Sequence, residues 1–232
     1  MSGGIELKDL TEFLPKTITQ VYGEAASGKT NLCRMAAANV ARAGKKVIYI
    51  DTEGSFSLQR FKQVSGQDSS ELLKNIIIAE PADFDEQKIA VNKLDDLLEG
   101  KDVGLVIVDS LVSLYRLEMG TTEEAYSVNR ELSKQLAKLM KISKKYDIPV
   151  VVTNQVYSSF SKGDEEDKTV PVGRDVLKYW TKNVIKLSKK GHYRMATIVR
   201  HNFKPEGAKL RFRIIEGGIE NESVVDNPAG EV

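Results

Sequence analysis

The chain has only one cysteine, Cys33, among its 232 residues, which excludes an internal disulfide framework. It also lacks an apolar run long enough to cross a membrane, and no charged-then-apolar leader opens it. Neither sign of charge predominates, because the formal net charge is +1. These absences predict a cytoplasmic protein without membrane contact. Any surface for nucleic acid must therefore come from a local asymmetry of charge.

Short apolar segments alternate with helical segments along most of the chain. The predicted strands are 18–22, 46–51, 75–79, 105–109 and 149–153, and the predicted helices are 30–43, 85–98 and 123–146. This alternation predicts an α/β fold with a mostly parallel central sheet flanked by helices. Three later segments, 183–187, 193–200 and 210–215, predict antiparallel strands that extend this sheet. We therefore expect an N-terminal segment (1–15), one core domain (16–215) and a C-terminal tail (216–232).

One segment fits the phosphate-binding pattern G-x-x-x-x-G-K-[ST] and lies between a predicted strand and a predicted helix. It comprises Gly23, Glu24, Ala25, Ala26, Ser27, Gly28, Lys29 and Thr30. Glycines let successive backbone N–H groups turn toward an anion, and the following helix adds its positive N-terminus. We expect Lys29 to contact nucleotide phosphates and the Thr30 hydroxyl to bind Mg²⁺. An ordinary Gly/Ser turn would not need that lysine and threonine.

Three further polar residues follow predicted strands of the same sheet. Asp109 ends an apolar strand, as in a Walker B segment, and is a second candidate ligand of Mg²⁺. Glu53 follows the second strand and is a candidate base for an attacking water molecule. Gln155 follows the fifth strand and could donate to a γ-phosphate. Taken singly, Glu53 and Gln155 could equally be ordinary surface residues.

Taken together, residues 23–30, 51–56, 105–110 and 152–156 resemble the ATPase core of RecA-family recombinases, in the branch that includes RadA. The resemblance covers about residues 16–215 and implies a RecA-like P-loop NTPase core that hydrolyses ATP with Mg²⁺ and acts on DNA. It implies that Glu53 is the catalytic glutamate and that Gln155 links the γ-phosphate to a second DNA-binding loop. It also implies that residues 111–124, with Tyr115 and Arg116, form the first DNA-binding loop.

Departures from the family pattern are equally informative. Residues 1–14 show neither an N-terminal DNA-binding domain nor a linker phenylalanine–alanine motif, and the segment after Gln155 is short and acidic. Residues 201–205, at the position of the adenine-capping region, lack the expected acid. These features resemble the short archaeal RadB branch of the family. They imply an accessory protein with weak ATPase activity that modulates a RadA-type recombinase. Holliday-junction-processing proteins and a second copy of the chain are further candidate partners.

Two alternatives stay open at this point. The first is an autonomous DNA-dependent ATPase that forms filaments and performs strand exchange, which Glu53 would favour. The second is a metabolite kinase, although no Arg-rich lid or second substrate motif is present to favour it.

A basic segment is the candidate surface for DNA. Residues 178–213 contain eleven Lys and Arg residues and a single acid, Glu206. The candidate phosphate contacts are Lys178, Lys182, Lys189, Lys190 and Arg194, and we expect weak, salt-dependent binding with single strands favoured. We expect Trp180 and Phe203 to lie in the core. The acidic residues 163–167 either screen this segment or contact a partner.

Overall fold

A nine-stranded mixed sheet runs through the described part of the protein, residues 5–157 and 170–222 of a computed structural model. The strands within these ranges are β1 (Ile18–Gly23), β2 (Lys46–Asp51), β3 (Ile76–Ala79), β4 (Val103–Asp109), β5 (Val150–Asn154), β6 (Val156–Tyr157), β7 (Val170–Pro171), β8 (Asn183–Lys190), β9 (Tyr193–Arg200), β10 (Lys209–Ile215) and β11 (Gly218–Asn221). The helices are α1 (Lys8–Thr11), α2 (Lys29–Arg42), α3 (Leu58–Ser65), α4 (Ser69–Leu73), α5 (Phe84–Asn92), α6 (Leu94–Leu98), α7 (Ser113–Leu117), α8 (Thr122–Tyr146) and α9 (Arg174–Trp180).

The strand order is β11-β10-β9-β8-β1-β5-β4-β2-β3. The run from β8 to β3 is parallel, and β9, β10 and β11 add antiparallel pairs on the other side of β8. Short β6 and β7 form a separate antiparallel pair. The prediction of a mostly parallel sheet with C-terminal antiparallel strands is thus confirmed. The sheet extends further than expected, because β11 pairs with β10 within the segment assigned to the C-terminal tail.

Two apolar cores lie on opposite faces of the sheet, as expected for strands that are buried on both faces. On one face α2 packs through small residues such as Ala36 and Ala37, which allow a close approach of helix to sheet. Ile5 and Leu10 are buried in the same core, so part of the N-terminal segment packs on the domain. On the other face α8 buries Leu132, Leu136, Leu139 and Ile142, whose spacing of three or four residues places them on one side of the helix.

Helix ends follow the capping chemistry of the sequence. The Asp83 carboxylate accepts from the backbone N–H of Glu86 at 2.8 Å and begins α5. The Glu86 carboxylate in turn accepts from the backbone N–H of Ala82 at 2.8 Å.

Within the described ranges, no helix is both long enough and apolar enough to span a bilayer.

The parallel strands β1, β2, β4 and β5 all end at the same edge of the sheet. Gly23, Asp51, Asp109 and Asn154 are their last residues. This register brings the segments that follow the four strands into one neighbourhood, where ligands of open α/β sheets bind.

Candidate nucleotide-binding site

The loop between β1 and α2 has a backbone that favours glycine. Gly28, immediately before the helix, has φ of 109°, in the left-handed region. A Cβ atom on Gly23 would lie 2.1 Å from the carbonyl oxygen of Leu187, so only glycine fits beside β8. The loop therefore leads directly into the N-terminus of a 14-residue helix, an arrangement that suits an anion.

The side chain of Lys29 is folded back over this loop. Its Nζ atom donates to the carbonyl oxygens of Gly23 and Glu24, both at 2.9 Å, and the residue is only 9 % exposed. Burial lowers the pKa of Lys29, while the negative charges of Asp109 and Glu53 act in the opposite direction. The ammonium group thus lies between the loop and two carboxylates.

Asp109, the last residue of β4, is 3 % exposed and well supplied with hydrogen-bond donors. Its Oδ2 accepts from the Tyr49 hydroxyl at 2.7 Å, and its Oδ1 accepts from the Thr153 hydroxyl at 2.5 Å. Burial raises the pKa of Asp109, whereas hydrogen bonds from Thr153, Tyr49 and Thr30 lower it. The structure therefore brings together Thr30 and Asp109, the two candidate magnesium ligands.

The turn after β2 is organised by the buried carboxylate of Asp51. It accepts from the backbone N–H of Phe56 at 2.6 Å and from that of Glu53 at 3.2 Å. Asp51 is thereby occupied within its own turn and is 1 % exposed. Glu53, in contrast, is exposed and extends toward the end of β5.

The carboxylate of Glu53 contacts the segments that follow two other strands. Its Oε1 accepts from Ser110 Oγ at 3.0 Å and from Gln155 Nε2 at 2.9 Å. Gln155 Oε1 in turn accepts from Arg116 Nη1 at 3.2 Å. Glu53 and Gln155, which were ambiguous singly, are thus hydrogen-bonded to each other.

A cleft of about 470 Å³ lies at this edge of the sheet. It is lined by Ala25, Ala26, Gly28, Lys29, Thr30, Asn31, Arg34, Glu53, Asp109, Gln155, Arg194 and Ile214. One cavity is therefore shared by the loop, both candidate magnesium ligands, the candidate base and the candidate γ-phosphate contact.

One residue that lines the cleft, Ile214, and one that contacts the lining residue Asn31, Arg60, escaped prediction from the sequence. Ile214 reaches the loop from β10, where its Cδ1 atom would lie 3.3 Å from a Cβ atom on Gly28. Arg60 of α3 donates to the carbonyl oxygens of Ile215 and Glu216 at 2.6 and 2.9 Å, and to Asn31 Oδ1 at 3.3 Å. No local pattern singles out these residues, because their positions depend on the pairing of distant strands.

The candidate DNA contacts do not form one surface. Lys189 and Lys190 are exposed at the carboxyl end of β8, where the backbone N–H of Lys189 donates to Glu24 Oε1 at 2.8 Å. Lys178 and Lys182 are exposed near the opposite end of β8, roughly 25 Å away for eight strand residues. Arg194 lines the nucleotide cleft and contacts the carbonyl oxygen of Ala26 at 3.5 Å. The candidate contacts thus lie at two separate ends of β8, and their binding to DNA stays a prediction.

Two aromatic residues lie elsewhere than expected. Tyr115 is 2 % exposed, packs against Phe84 and donates to Asn129 Oδ1 at 2.8 Å, so its ring is not placed to stack on a base. Phe203 is 79 % exposed rather than in the core. It lies in the connection between β9 and β10, directly after the end of β9 that is remote from Arg194. Trp180 is half-buried against the core, as expected.

Acids from outside the basic segment reduce its charge. Glu222 lies 3.5 Å from Arg211 and 3.4 Å from His192, and it lies 3.9 Å from Arg213. Asp9 pairs with Lys204 at 2.8 Å. A count confined to residues 178–213 missed these acids, and the net positive charge of the folded surface is smaller than predicted.

Comparison with known proteins identifies the family of the chain. The Rad51 family model matches residues 2–222. The chain belongs to the Rad51 family. A DNA repair and recombination protein RadB from Methanococcus maripaludis is 47 % identical over 206 residues, covering 88 % of this chain and 92 % of that protein. The RadB of Methanoculleus marisnigri is 40 % identical over 221 residues, covering 94 % of this chain and 92 % of that protein.

A solved structure, the crystal structure of the RadB recombinase, matches with a TM-score of 0.78 and 37 % identity. The match covers 96 % of this chain and 99 % of that one. The Rad51-family assignment and the RecA-like fold are thus supported over nearly the whole chain, including β9, β10 and β11. The expected similarity to the RadB branch is confirmed.

Proposed function

We propose that this Rad51-family protein is a DNA repair and recombination accessory factor that binds ATP with Mg²⁺, hydrolyses it weakly and modulates a RadA-type recombinase. One observation supports the proposal above the others: Lys29, Thr30, Asp109, Glu53 and Gln155 line a single cleft. The archaeal relatives named RadB support the recombination role. We further propose that the protein is cytoplasmic. We propose DNA and a RadA-type recombinase as its partners.

The residues of the cleft fit a nucleoside triphosphate. Residues 23–30 offer backbone N–H groups and the N-terminus of α2 to the phosphates, and the Lys29 ammonium can exchange its two carbonyl partners for phosphate oxygens. Thr30 and Asp109 would hold Mg²⁺, which neutralises charge that develops on the phosphates. No group of three His, Cys, Asp or Glu side chains suited to a metal occurs in residues 5–157 and 170–222. Phosphate and water oxygens would therefore complete the coordination.

Glu53 would orient and deprotonate the attacking water. The other carboxylate of this turn, Asp51, is buried and accepts from the backbone N–H of Phe56, which supports Glu53 for that role. Gln155 would donate to the γ-phosphate once its amide leaves Glu53. Two donors, Ser110 and Gln155, already occupy Oε1 of Glu53, which supports slow rather than fast turnover.

The accessory role and the autonomous alternative differ in what they predict for activity. We would measure ATP turnover by the protein alone, with single-stranded DNA and with a RadA-type recombinase. An accessory factor changes strand exchange by the recombinase while its own turnover stays low. Strong stimulation by DNA alone, together with strand exchange and filaments in the absence of the recombinase, would support the autonomous alternative. The similar RadB of known structure is named a recombinase, which favours the autonomous alternative.

The location of the DNA surface gives a separate prediction. We expect the carboxyl end of β8 to bind DNA, since Lys189 is hydrogen-bonded through its backbone to the nucleotide loop. Replacing Lys189 and Lys190 together with alanine should reduce the slope of log K against log salt by about 1.4, at about 0.7 for each lost contact to a single strand. The matched control replaces Lys178 and Lys182 with alanine and should leave the slope unchanged. The opposite pattern would place the surface at the far end of β8.

A further inference from the structure

Arg34 of α2 is a buried arginine in the nucleotide cleft. It lines the cleft and is 7 % exposed. Its Nη1 donates to Asn31 Oδ1 at 3.1 Å, and its Nη2 donates to the carbonyl oxygen of Ser55. Among the described residues, its Nε has no hydrogen-bond partner and no carboxylate forms an ion pair with its guanidinium. Burial of an unpaired cation costs stability, so stability alone does not explain this arginine.

The Ser55 carbonyl group that Arg34 contacts belongs to the turn that carries Glu53. The tip of this turn is loosely packed, because Glu53 and Gly54 are exposed. Gly54 has φ of 60°, in the left-handed region, and a Cβ atom there would meet no atom of the described residues within 4 Å. Asp51 holds the turn from the side of β2, where it accepts from the backbone N–H of Glu53 at 3.2 Å. Arg34 holds the turn from the side of α2.

The same helix carries the candidate contacts to phosphate and magnesium. Helix α2 follows directly on the phosphate-binding loop, and Thr30 precedes Arg34 by four residues, which places both on one face of the helix. Hydrolysis requires the base, the attacking water and the γ-phosphate in a fixed arrangement, and a displacement of about 1 Å can cost about 100-fold in rate. A hydrogen bond from α2 to the Glu53 turn therefore restrains the distance between the base and the phosphates.

We propose that Arg34 is a positioning residue that ties the Glu53 turn to α2 and thereby sets the position of the base relative to the bound triphosphate. The inference rests on the proposed ATPase function and adds a residue to it. Arg34 acts through Glu53 and does not itself bind the nucleotide. The planar guanidinium donates to Asn31 and Ser55 at the same time, whereas the ammonium group of a lysine lacks this fixed fork.

The test replaces Arg34 with methionine, an unbranched and uncharged side chain. Single-turnover ATP hydrolysis should slow about 10- to 100-fold, while the affinity for a fluorescent ATP analogue changes by less than about threefold. The unfolding temperature of the nucleotide-free variant should equal or exceed that of the wild type, because a buried unpaired charge is removed. Arg34→Lys should hydrolyse ATP at an intermediate rate.

The matched control is Arg42→Met, at the other end of the same helix. Arg42 also donates to a backbone carbonyl oxygen of another segment, that of Ser65 at 3.1 Å, but it lies about 12 Å along α2 from Arg34. Its replacement should leave ATP hydrolysis unchanged. The control therefore separates the position of Arg34 from the general loss of an arginine–carbonyl contact on α2.

A double-mutant cycle with Glu53→Gln tests whether Arg34 acts through the base. In the Glu53→Gln background, Arg34→Met should have little further effect on the rate, because the group that Arg34 positions no longer accepts a proton. If the two effects multiply instead, or if Arg34→Met loses ATP affinity, Arg34 contacts the nucleotide directly and the inference is wrong.

Three other results would overturn the inference in distinguishable ways. A lower unfolding temperature in Arg34→Met would mean that the arginine supports the fold. An unchanged rate in Arg34→Met would show that the turn holds Glu53 without it, and the proposed ATPase function would be unaffected. A wild-type protein that does not hydrolyse ATP at all would contradict the proposed function itself, and the inference with it.

Discussion

Replacing Lys29 with alanine is expected to weaken ATP binding by about 100-fold or more and to remove measurable turnover, because it removes the buried cation that faces the phosphates beside Asp109 and Glu53. Arg34 and Arg194 also line the cleft, but Arg34 donates to Asn31 Oδ1 and to the carbonyl oxygen of Ser55, and Arg194 donates to the carbonyl oxygen of Ala26. Neither arginine therefore takes the position of Lys29. Titration with a fluorescent ATP analogue, with and without Mg²⁺, measures the loss directly.

Stability has to be separated from binding in this experiment, since Lys29 also donates to the carbonyl oxygens of Gly23 and Glu24. Thermal unfolding of the nucleotide-free variant should resemble that of the wild type, because those two carbonyl groups can turn to water. Lys144→Ala removes an exposed lysine at the end of α8 and serves as the matched control for charge. Unchanged ATP affinity in Lys29→Ala would show that the cleft is not the nucleotide site.

The grouping of the candidate site residues in one cleft was predictable because these residues depend on local patterns. The phosphate-binding spacing of residues 23–30 is visible in one segment, and Glu53, Asp109 and Gln155 each follow a strand-like run. Parallel strands end at one edge, so the α/β prediction alone was enough to bring these residues together. Their hydrogen bonds could not be predicted, because the contact between Glu53 and Gln155 spans 102 residues of sequence.

The candidate DNA contacts lie further apart in the fold than in the sequence, because charge was counted along the sequence rather than across the sheet. Strand β8 separates Lys178 and Lys182 from Lys189 and Lys190, and the turn after β8 places Arg194 beside Lys189 and the candidate phosphate-binding loop. Pairing of β10 with β11 then brings Glu222 next to basic side chains. In a basic segment that folds into antiparallel strands, successive side chains point to opposite faces of the sheet, and the chain runs from one end of the strands to the other. Its positive charges are therefore divided between both faces and both ends.

Aromatic residues show the same dependence on tertiary structure. Tyr115 is in a segment that resembles a DNA-binding loop, yet its ring is buried against Phe84. Phe203 has the apolar side chain of a typical core residue, yet it is exposed in the turn after β9. In this turn His201 Nδ1 accepts from the backbone N–H groups of Phe203 and Lys204. Side-chain type alone does not distinguish these cases, because burial is decided by what packs above the residue.

Glu53→Gln is expected to retain ATP affinity while turnover falls by about 10²- to 10⁴-fold, the usual contribution of a general base. The substitution preserves shape, and the new amide oxygen can still accept from Ser110 and Gln155, so the contacts at 3.0 and 2.9 Å have no reason to break. What is lost is the ability to take a proton from water. Single-turnover measurements with bound ATP separate this chemical step from binding and product release.

The neighbouring carboxylates make this prediction specific. Asp51 is held by the backbone of its own turn, and Asp109 is buried behind Tyr49 and Thr153, so neither can replace Glu53 as the base. Glu99→Gln, at an exposed position after α6, should change neither affinity nor turnover. Loss of ATP binding in Glu53→Gln would show that Glu53 supports the structure of the cleft. Undiminished turnover with intact binding would mean that the attacking water loses its proton to the γ-phosphate itself, because no other carboxylate among the described lining residues is free to accept it.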